Sequence, residues 1–220
     1  MVDVFPTGRF GFMTQEIDIE RATLEGGEAI AGGSDRISTD GGGRVFAEFA
    51  DGSLVDRDTV LAWRALLGIL EEGVTRMVVP FCDARHQPVV GPQTTTYSDD
   101  TSHSDGSLFS GSTAVLAATA AAVLRATTLE VAGALPRPLL GGEWFTIVHP
   151  AKGERAYKVR TVADDGSSLT FRPPLREAVA VGEELDFSHP RCLMVQDGRA
   201  PNRLEFRRAT TAAIRFVEAR

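Results

Sequence analysis

Residues that supply metal, redox or disulfide chemistry are scarce in this sequence. Its 220 residues include two cysteines and four histidines. Cys82 and Cys192 match no metal-binding spacing, and two thiols do not amount to a disulfide framework. Each cysteine lies in an apolar, strand-like run, so we expect both to be small core residues of a protein that folds in a reducing compartment.

The sequence also lacks a long apolar run and a clustered basic surface. No stretch approaches the roughly 18 apolar residues of a membrane span, and the N-terminus lacks the pattern of a signal peptide, so we expect neither. The formal net charge is -7, and the densest basic stretch, residues 199–208, is interrupted by Glu205. Binding to phosphates requires a clustered basic face, so we expect no sequence-specific nucleic-acid binding.

Motifs of nucleophilic and acid–base catalysis are missing as well. The sequence has no Gly-x-Ser-x-Gly turn, and the glycines at 41–43 are not followed by the Lys-Ser or Lys-Thr of a phosphate-binding loop. The adjacent carboxylates at 71–72 and 183–184 would point to opposite faces of a strand rather than across a substrate. We therefore predict no catalytic residues and expect that the protein is not an enzyme.

One local group has the chemistry of metal ligands: Asp99, Asp100, His103 and Asp105. Its spacing matches neither a calcium-binding loop nor a zinc-binding helix, so we interpret it as a polar turn and expect no metal or cofactor. A metal-dependent hydrolase at this turn is the least favoured alternative. The pairs at 149–150 and 189–190 are both His-Pro at the end of a strand-like run, which favours turn roles for His149 and His189.

Strand-like runs separated by glycine-rich turns fill the first eighty residues. Residues 9–21 form one such run with Phe10, Phe12, Ile17 and Ile19, and in residues 44–50 the side chains of Val45, Ala47 and Phe49 alternate with polar ones. A helix near residues 58–72 interrupts this pattern. Asp56 or Asp58 would cap it, Trp63 lies in its apolar stripe and would pack across a sheet, and Gly73 would end it.

The second half of the chain begins with a change in composition. Residues 83–112 are rich in Pro, Gly, Ser, Thr and Asp, which indicates a projecting arm or short hairpins. Residues 113–122 stay open between helix and strand, and the β-branched residues of 123–131 favour a strand. Three further strands are predicted at 143–149, 155–163 and 168–172, and three more at 191–196, 203–208 and 211–218.

These patterns predict a mainly β fold made of two domains. Residues 1–82 and 187–220 would form a β-sandwich with one packed α-helix. Residues 83–186 would be an inserted arm followed by a small β-barrel or sandwich.

The order of several short motifs resembles the distal tail proteins, or tail-tip hub components, of long-tailed (siphovirus-like) bacteriophages and prophages. The motifs cover about the last three quarters of the chain, and each of them is short. They are Ala-Trp-Arg-Ala-Leu-Leu at 62–67, Met-Val-Val-Pro-Phe-Cys-Asp at 77–83, Leu-Leu-Gly-Gly-Glu-Trp-Phe-Thr-Ile at 139–147, Tyr-Lys-Val at 157–159, Phe-Arg-Pro-Pro-Leu-Arg at 171–176, Pro-Arg-Cys-Leu-Met-Val at 190–195 and Ala-Ile-Arg-Phe-Val-Glu-Ala at 213–219.

The resemblance implies a structural virion protein of the tail tip. Such a protein would form a hexameric ring that joins the tail tube protein to the hub, baseplate and tape-measure proteins, after assembly in the cytoplasm of the bacterial host. The inserted β-domain would face outward, and no active-site residues are implied. Residues 113–122 have no place in the family pattern. Phe10, Phe12 and Tyr97 are candidate interface anchors, although alternating aromatic residues more often belong to a core.

Two alternative functions stay open. The first is a carbohydrate-binding module that presents Trp144, Phe145 and Tyr157 to a sugar on the host surface; Trp144 and Phe145 would point to opposite faces of their strand, so at most one would be offered. The second is another tail ring protein, such as a terminator or a hub component.

Overall fold

The computed structural model describes residues 2–21, 23–25, 36–38, 41–82, 85–88, 94–95, 109–110, 114–201 and 210–220, with the backbone alone for 23–25, 36–38, 94–95 and 109–110. The chain divides into two compact units. Unit 1 consists of Met1–Cys82 and Arg191–Arg220, and unit 2 is Asp83–Pro190. Unit 2 therefore extends to Pro190, whereas the sequence placed the end of the insertion at residue 186.

The fold is mainly β, as predicted. The helices are α1 (Thr7–Phe10) and α2 (Arg57–Leu70). The strands are β1 (Thr14–Glu20), β2 (Thr23–Glu25), β3 (Arg36–Ser38), β4 (Arg44–Leu54), β5 (Arg76–Pro80), β6 (Thr94–Thr95), β7 (Phe109–Ser110), β8 (Val115–Ala118), β9 (Thr128–Ala132), β10 (Trp144–His149), β11 (Gly153–Val162), β12 (Ser168–Arg172), β13 (Glu184–Asp186), β14 (Arg191–Gln196) and β15 (Thr210–Glu218). Among the described residues, no helix is long and apolar enough to cross a membrane.

Unit 1 contains a five-stranded antiparallel sheet in the order β1-β4-β15-β14-β5. Along β4 the buried residues include Val45, Ala47 and Phe49. This confirms the prediction, from their period-two spacing, that these three side chains lie on the same face of the strand. The short strands β2 and β3 pair with each other. The predicted strand at 203–208 lies outside the described residues.

The start of the predicted strand at 9–21 is wrong. Residues 7–10 form the helical turn α1, which ends at Gly11 in the left-handed conformation (φ 55°), and β1 begins at Thr14. Phe10 therefore reaches the core from a helical turn, where its side chain is 1% exposed. The apolar residues at 10 and 12 fit a period of two, but Gly11 between them adopts the left-handed conformation and breaks the strand.

An aromatic cluster joins α2 to the sheet of unit 1. Trp63 is fully buried, with its ring centroid 5.2 Å from that of Phe10 and 6.3 Å from that of Phe12. Phe12 lies in turn 5.3 Å from Phe49 of β4. A Cβ atom at Gly52 would be 2.7 Å from Cε1 of Phe12, so glycine is needed for this close approach. The helix thus packs on the sheet through Trp63, as predicted.

The cap of α2 is a reciprocal pair of hydrogen bonds between Asp56 and Thr59. The backbone N–H of Thr59 donates to Oδ1 of Asp56 (2.8 Å), and the backbone N–H of Asp56 donates to Oγ1 of Thr59 (3.4 Å). The Thr59 N–H holds the pKa of Asp56 below its usual value. The helix ends at Leu70 rather than at the predicted Gly73, because Glu71 already adopts the left-handed conformation. A single 3₁₀ turn (Glu71–Gly73) follows.

Unit 2 contains a closed six-stranded barrel in which the strands follow the order β10-β11-β12-β9-β8-β13. Of residues 113–122, for which the sequence allowed a helix or a strand, residues 115–118 form the strand β8. The interior is aromatic, and the ring centroid of Phe145 lies 5.5 Å from Tyr157, 5.6 Å from Phe171 and 5.2 Å from Phe187. The three strands predicted at 143–149, 155–163 and 168–172 are confirmed as β10, β11 and β12.

The strand predicted at 123–131 is only partly right. β9 begins at Thr128, and a turn at 124–125 precedes it, with Arg125 in the left-handed conformation (φ 70°). The side chains of Val123 and Leu124 are 75% and 56% exposed. The β propensity of valine depends on packing against neighbouring strands. No described strand covers Val123, so its β-branched side chain does not extend β9 to this residue.

The two cysteines differ in burial. Cys192 in β14 is buried, as predicted for a small core residue. Cys82 is exposed, so the prediction is wrong for this residue. The reason is that β5 ends at Pro80, and beyond that point the backbone N–H of Cys82 donates to Oε1 of Gln15 (2.9 Å) rather than to a strand.

We expect Trp63→Ala to lower the free energy of unfolding by about 3–5 kcal/mol, because a fully buried ring is removed from the aromatic cluster. Chemical denaturation of the full chain measures this change. Leu61→Ala is the matched control on the same helix; its side chain is 44% exposed, so a change within about 0.5 kcal/mol is expected. Equal effects of the two substitutions would contradict the packing described.

Asp56 links the stability of α2 to pH. Since its pKa is lower in the folded than in the unfolded chain, its stabilising contribution is present above the unfolded value of about 4 and is lost as the pH falls through the folded value. Asp56→Asn keeps an oxygen acceptor but cannot titrate. The difference in melting temperature between the natural chain and this variant should therefore shrink as the pH is lowered from about 6 to about 3. Asp58→Asn controls for charge near the helix start, and a constant difference for Asp56→Asn would refute the linkage.

Candidate interaction surfaces

The predicted polar turn lies outside the part of the chain that the structure describes. Asp99, Asp100, His103 and Asp105 all belong to this undescribed segment, and so does the candidate anchor Tyr97. Within the described residues there is no group of three or more His, Cys, Asp or Glu side chains that could hold a metal ion. Other residues therefore form the candidate interaction surfaces.

The three aromatic residues considered for sugar binding are buried in unit 2. Trp144 is 3% exposed, and Phe145 and Tyr157 are both 0% exposed. Phe145 and Tyr157 belong to the barrel core. Trp144 is not part of that core, and the ammonium nitrogen of Lys158 lies 5.5 Å from its ring centroid. None of the three rings presents a face on which a sugar could stack.

The candidate anchors Phe10 and Phe12 belong to the aromatic cluster of unit 1. Phe10 is buried against Trp63, and Phe12 is partly buried between Trp63 and Phe49. Both side chains therefore act as core residues rather than as exposed interface anchors.

The side chain of His149 has a role that its sequence context does not indicate. It lies at the end of β10 with 1% exposure, and its Nε2 atom is 2.7 Å from the hydroxyl oxygen of Tyr157. The same hydroxyl accepts a hydrogen bond from the backbone N–H of Arg176 (3.1 Å). His149 is the last residue of β10, directly before the turn that begins at Pro150, as its sequence context predicts. Its buried side chain adds a contact that the sequence did not indicate. His189 lies in a bend, where its N–H donates to Asp186 Oδ1 (3.2 Å).

Two further polar groups of unit 2 were missed by sequence reasoning. Arg155 is 2% exposed, and its Nε donates to the carbonyl oxygen of Lys152 (3.0 Å). Glu177 accepts from the backbone N–H groups of Ala151 (3.1 Å) and Lys152 (3.2 Å). Together they hold the turn between β10 and β11. No local pattern distinguishes these residues from the other charged residues of the sequence.

The first candidate surface is the acidic edge, defined as the exposed side of β1. This strand is at the end of the sheet in the described residues, and exposed residues alternate with partly buried ones along it. Glu16, Asp18 and Glu20 lie on the exposed side, and Glu16 is the register partner of Glu48 in β4. Arg215 makes ion pairs with Glu20 (3.2 Å) and Asp197 (3.1 Å) at one end of this row.

The second candidate surface is the helix groove, an open cavity of about 510 Å³ between α1 and α2. Leu61 and Ile69 lie on it with side chains 44% and 50% exposed. Its lining is mainly apolar and consists of Pro6, Arg9, Phe10, Asp58, Leu61, Ala62, Ala65, Leu66 and Ile69. Exposed aliphatic side chains around a groove are typical of a protein contact surface.

Compared with known protein families and with curated proteins, the chain matches no family model and no curated protein. The class of the molecule therefore rests on its own architecture. The described residues form a mainly β protein of two compact units, with an acidic edge and a helix groove on unit 1.

We expect Tyr157→Phe to lower the free energy of unfolding by about 1–3 kcal/mol, because the lost hydroxyl leaves buried groups of His149 and Arg176 without this partner. Thr161→Val is the matched control. It removes an exposed hydroxyl that is hydrogen-bonded to Thr170 (2.6 Å), and a change within about 0.5 kcal/mol is expected. Thermal or denaturant unfolding measures both variants, and a neutral Tyr157→Phe would show that the buried bond does not stabilise the barrel.

Proposed function

We propose that this protein is a structural component of the tail tip of a long-tailed bacteriophage or prophage, where it forms a ring between the tail tube and the hub. The observation that carries the proposal is the position of the barrel. The chain leaves the sheet of unit 1 at Pro80 and returns at Arg191, and these two residues are direct partners in the pairing of β5 with β14. The resemblance implies this arrangement of a helix-bearing β-domain with an inserted β-domain.

The order of the elements supports the same proposal. The motif at 62–67 lies in α2, and the motif at 77–83 begins in β5. The motifs at 139–147 and 157–159 lie at the start of β10 and in β11, inside the inserted barrel. The motifs at 190–195 and 213–219 include most of β14 and β15, which return to the first sheet.

A ring requires two different complementary surfaces on each protomer, because a head-to-tail contact repeats around the axis. Unit 1 offers two different surfaces in the described residues, the acidic edge and the helix groove, and each could meet a separate surface of a neighbouring protomer. We assign the ring contact to unit 1 on this ground. A hexameric ring would then bind the tail tube protein on one side and the hub, baseplate and tape-measure proteins on the other.

The acidic character of the chain fits a passage for DNA. With a formal net charge of -7, the protein repels a polyanion, and like charge suppresses binding to a strand that must slide past. This charge supports a position on the path of the phage genome in the virion. The net charge does not distinguish a distal tail protein from the alternative tail ring proteins, a terminator or a hub component.

The carbohydrate-binding alternative has no support from the described residues. Sugar recognition by aromatic stacking needs an exposed ring face, and Trp144, Phe145 and Tyr157 are buried.

We expect the purified chain to form rings of about six subunits as its concentration rises, because a head-to-tail contact closes into a ring. Light scattering over a concentration series gives the mass, and negative-stain images of the same sample show the central hole. Leu61→Glu combined with Ile69→Glu should reduce the ring mass, because two charges enter the helix groove.

Val148→Glu provides the matched control for this test. Val148 is an exposed aliphatic residue of unit 2 (58% exposed), so the same chemical change should leave the ring intact. The proposed function is wrong if the chain forms no ring by itself and also forms none when it is mixed with tail tube and hub proteins.

A further inference from the structure

A turn that precedes β10 in unit 2 presents one apolar side chain to solvent. Leu140 is 87% exposed, the highest value among the large apolar side chains of the described residues. The residue before it, Leu139, is partly buried and packs against the barrel core. The side chain of Leu140, here called the leucine knob, therefore projects alone from a turn that is anchored in the barrel.

The backbone of the knob is fixed by a buried carboxyl group. Oε1 of Glu143 accepts a hydrogen bond from the N–H of Leu140 (2.7 Å), and its Oε2 accepts one from the N–H of Gly141 (2.8 Å). Glu143 is only 8% exposed, and burying such a group is costly unless it is hydrogen-bonded. Both oxygens thus hold an exposed leucine in one position. A turn held in this way loses little conformational freedom when it binds.

The helix groove of unit 1 has room for a side chain of this kind. Leu61 and Ile69 are eight residues apart on α2, which corresponds to about 12 Å along the helix axis. Ala62 and Ala65 line the groove between them. Because alanine side chains are short, they leave space between the two larger aliphatic side chains.

Charges beside the knob and the groove are opposite in sign. Arg137 is exposed three residues before the knob. On the groove, Asp58 is exposed three residues before Leu61, one turn away on the same helix. Arg9 lines the other wall, on α1. A turn that enters the groove is therefore favoured with Arg137 towards Asp58 and away from Arg9.

We propose that the leucine knob of one protomer inserts into the helix groove of the next protomer in the ring. This inference rests on the proposed function, because it names the surface that the groove meets there. Each chain carries a knob on unit 2 and a groove on unit 1, so the contact joins two different surfaces and repeats head to tail. The knob covers Ala65, and Arg137 pairs with Asp58.

A single contact between knob and groove is weak. One aliphatic side chain and one exposed charge pair place it at the low end of specific interfaces. We expect a dissociation constant in the range of about 10–300 µM for one contact at low salt. In a closed ring every protomer makes two such contacts, and the second one forms within the same assembly, which strengthens the whole.

Two full-chain variants that each lack one surface provide the test. Leu140→Glu removes the knob and keeps the groove, whereas Leu61→Glu combined with Ile69→Glu removes the groove and keeps the knob. Each variant alone should be a monomer. Their mixture should form a one-to-one complex and nothing larger, because one knob and one groove remain to pair. Sedimentation over a concentration series gives the mass of the complex and its dissociation constant.

Further changes in the groove-deficient variant separate the knob from the rest of unit 2. Adding Leu140→Glu should abolish the complex, and adding Leu140→Ala should raise the dissociation constant about tenfold or more, because most of the apolar contact is lost. Val148→Glu is the matched control. It places the same charge at another exposed aliphatic residue (58% exposed) and should leave the dissociation constant within about twofold. Thermal unfolding confirms that each variant is folded.

Charge reversal tests the orientation of the knob. Arg137→Glu in the groove-deficient variant, or Asp58→Arg in the knob-deficient variant, should each raise the dissociation constant about fivefold, because like charges then meet. The two changes together should return it to within about twofold of the starting value, since the pair is restored with its signs exchanged.

The outcomes distinguish this contact from the proposed function. If both folded variants stay monomeric in a mixture at about 500 µM, the knob does not enter the groove; rings of the natural chain would then use another contact, and the proposed function would stand. A complex that survives the added Leu140→Glu, or charge variants that do not restore each other, would also refute the inference. If the mixture forms the complex but the natural chain forms no ring with or without its tail partners, the contact stands and the proposed function fails.

Discussion

The pairing of β5 with β14 is the constraint on which both units depend. It completes the sheet of unit 1, and it also holds together the two points where the chain leaves and re-enters that sheet. Closing a long loop costs conformational entropy, but this cost grows only slowly with loop length. A separate folded unit can therefore occupy residues 83–190 without weakening the sheet, provided that its own ends lie close together. Pro80 opposite Arg191 places the points where the chain leaves and re-enters the sheet of unit 1 next to each other, so the inserted unit has to span only a short distance between its ends.

The two units bury their small cores in different ways. In unit 1 a single helix supplies Trp63 to an aromatic cluster that reaches the sheet through Phe12 and Phe49. In unit 2 the sheet closes on itself, and closure alone buries the aromatic interior. Closure also places polar side chains such as His149 at the rim of the interior, where Tyr157 provides a hydrogen-bond partner. Both solutions bury aromatic area, which contributes most per residue to a small core.

Regular periodicity explains what could be predicted from the sequence. The alternation in β4, the apolar stripe with its cap in α2 and the strands β10–β12 were all visible because their local patterns agree with the fold. Other features depend on tertiary context. The exposed Val123 lies in a turn region despite its β propensity, and His149 is buried although its neighbour Pro150 suggests a turn. The helix groove could not be foreseen, because it depends on α1, which the sequence presented as part of a strand.

The row of carboxylates on β1 has a consequence for the protein before it assembles. An open edge strand can pair with any other open edge, and uncontrolled pairing of this kind leads to aggregates. Two copies of β1 brought edge to edge would set two rows of negative charge side by side, and like charges in such positions oppose pairing. With Glu20 already paired with Arg215, the negative charge of Glu16 and Asp18 therefore disfavours pairing of two β1 edges and favours a partner that brings positive charge to this edge of the described sheet.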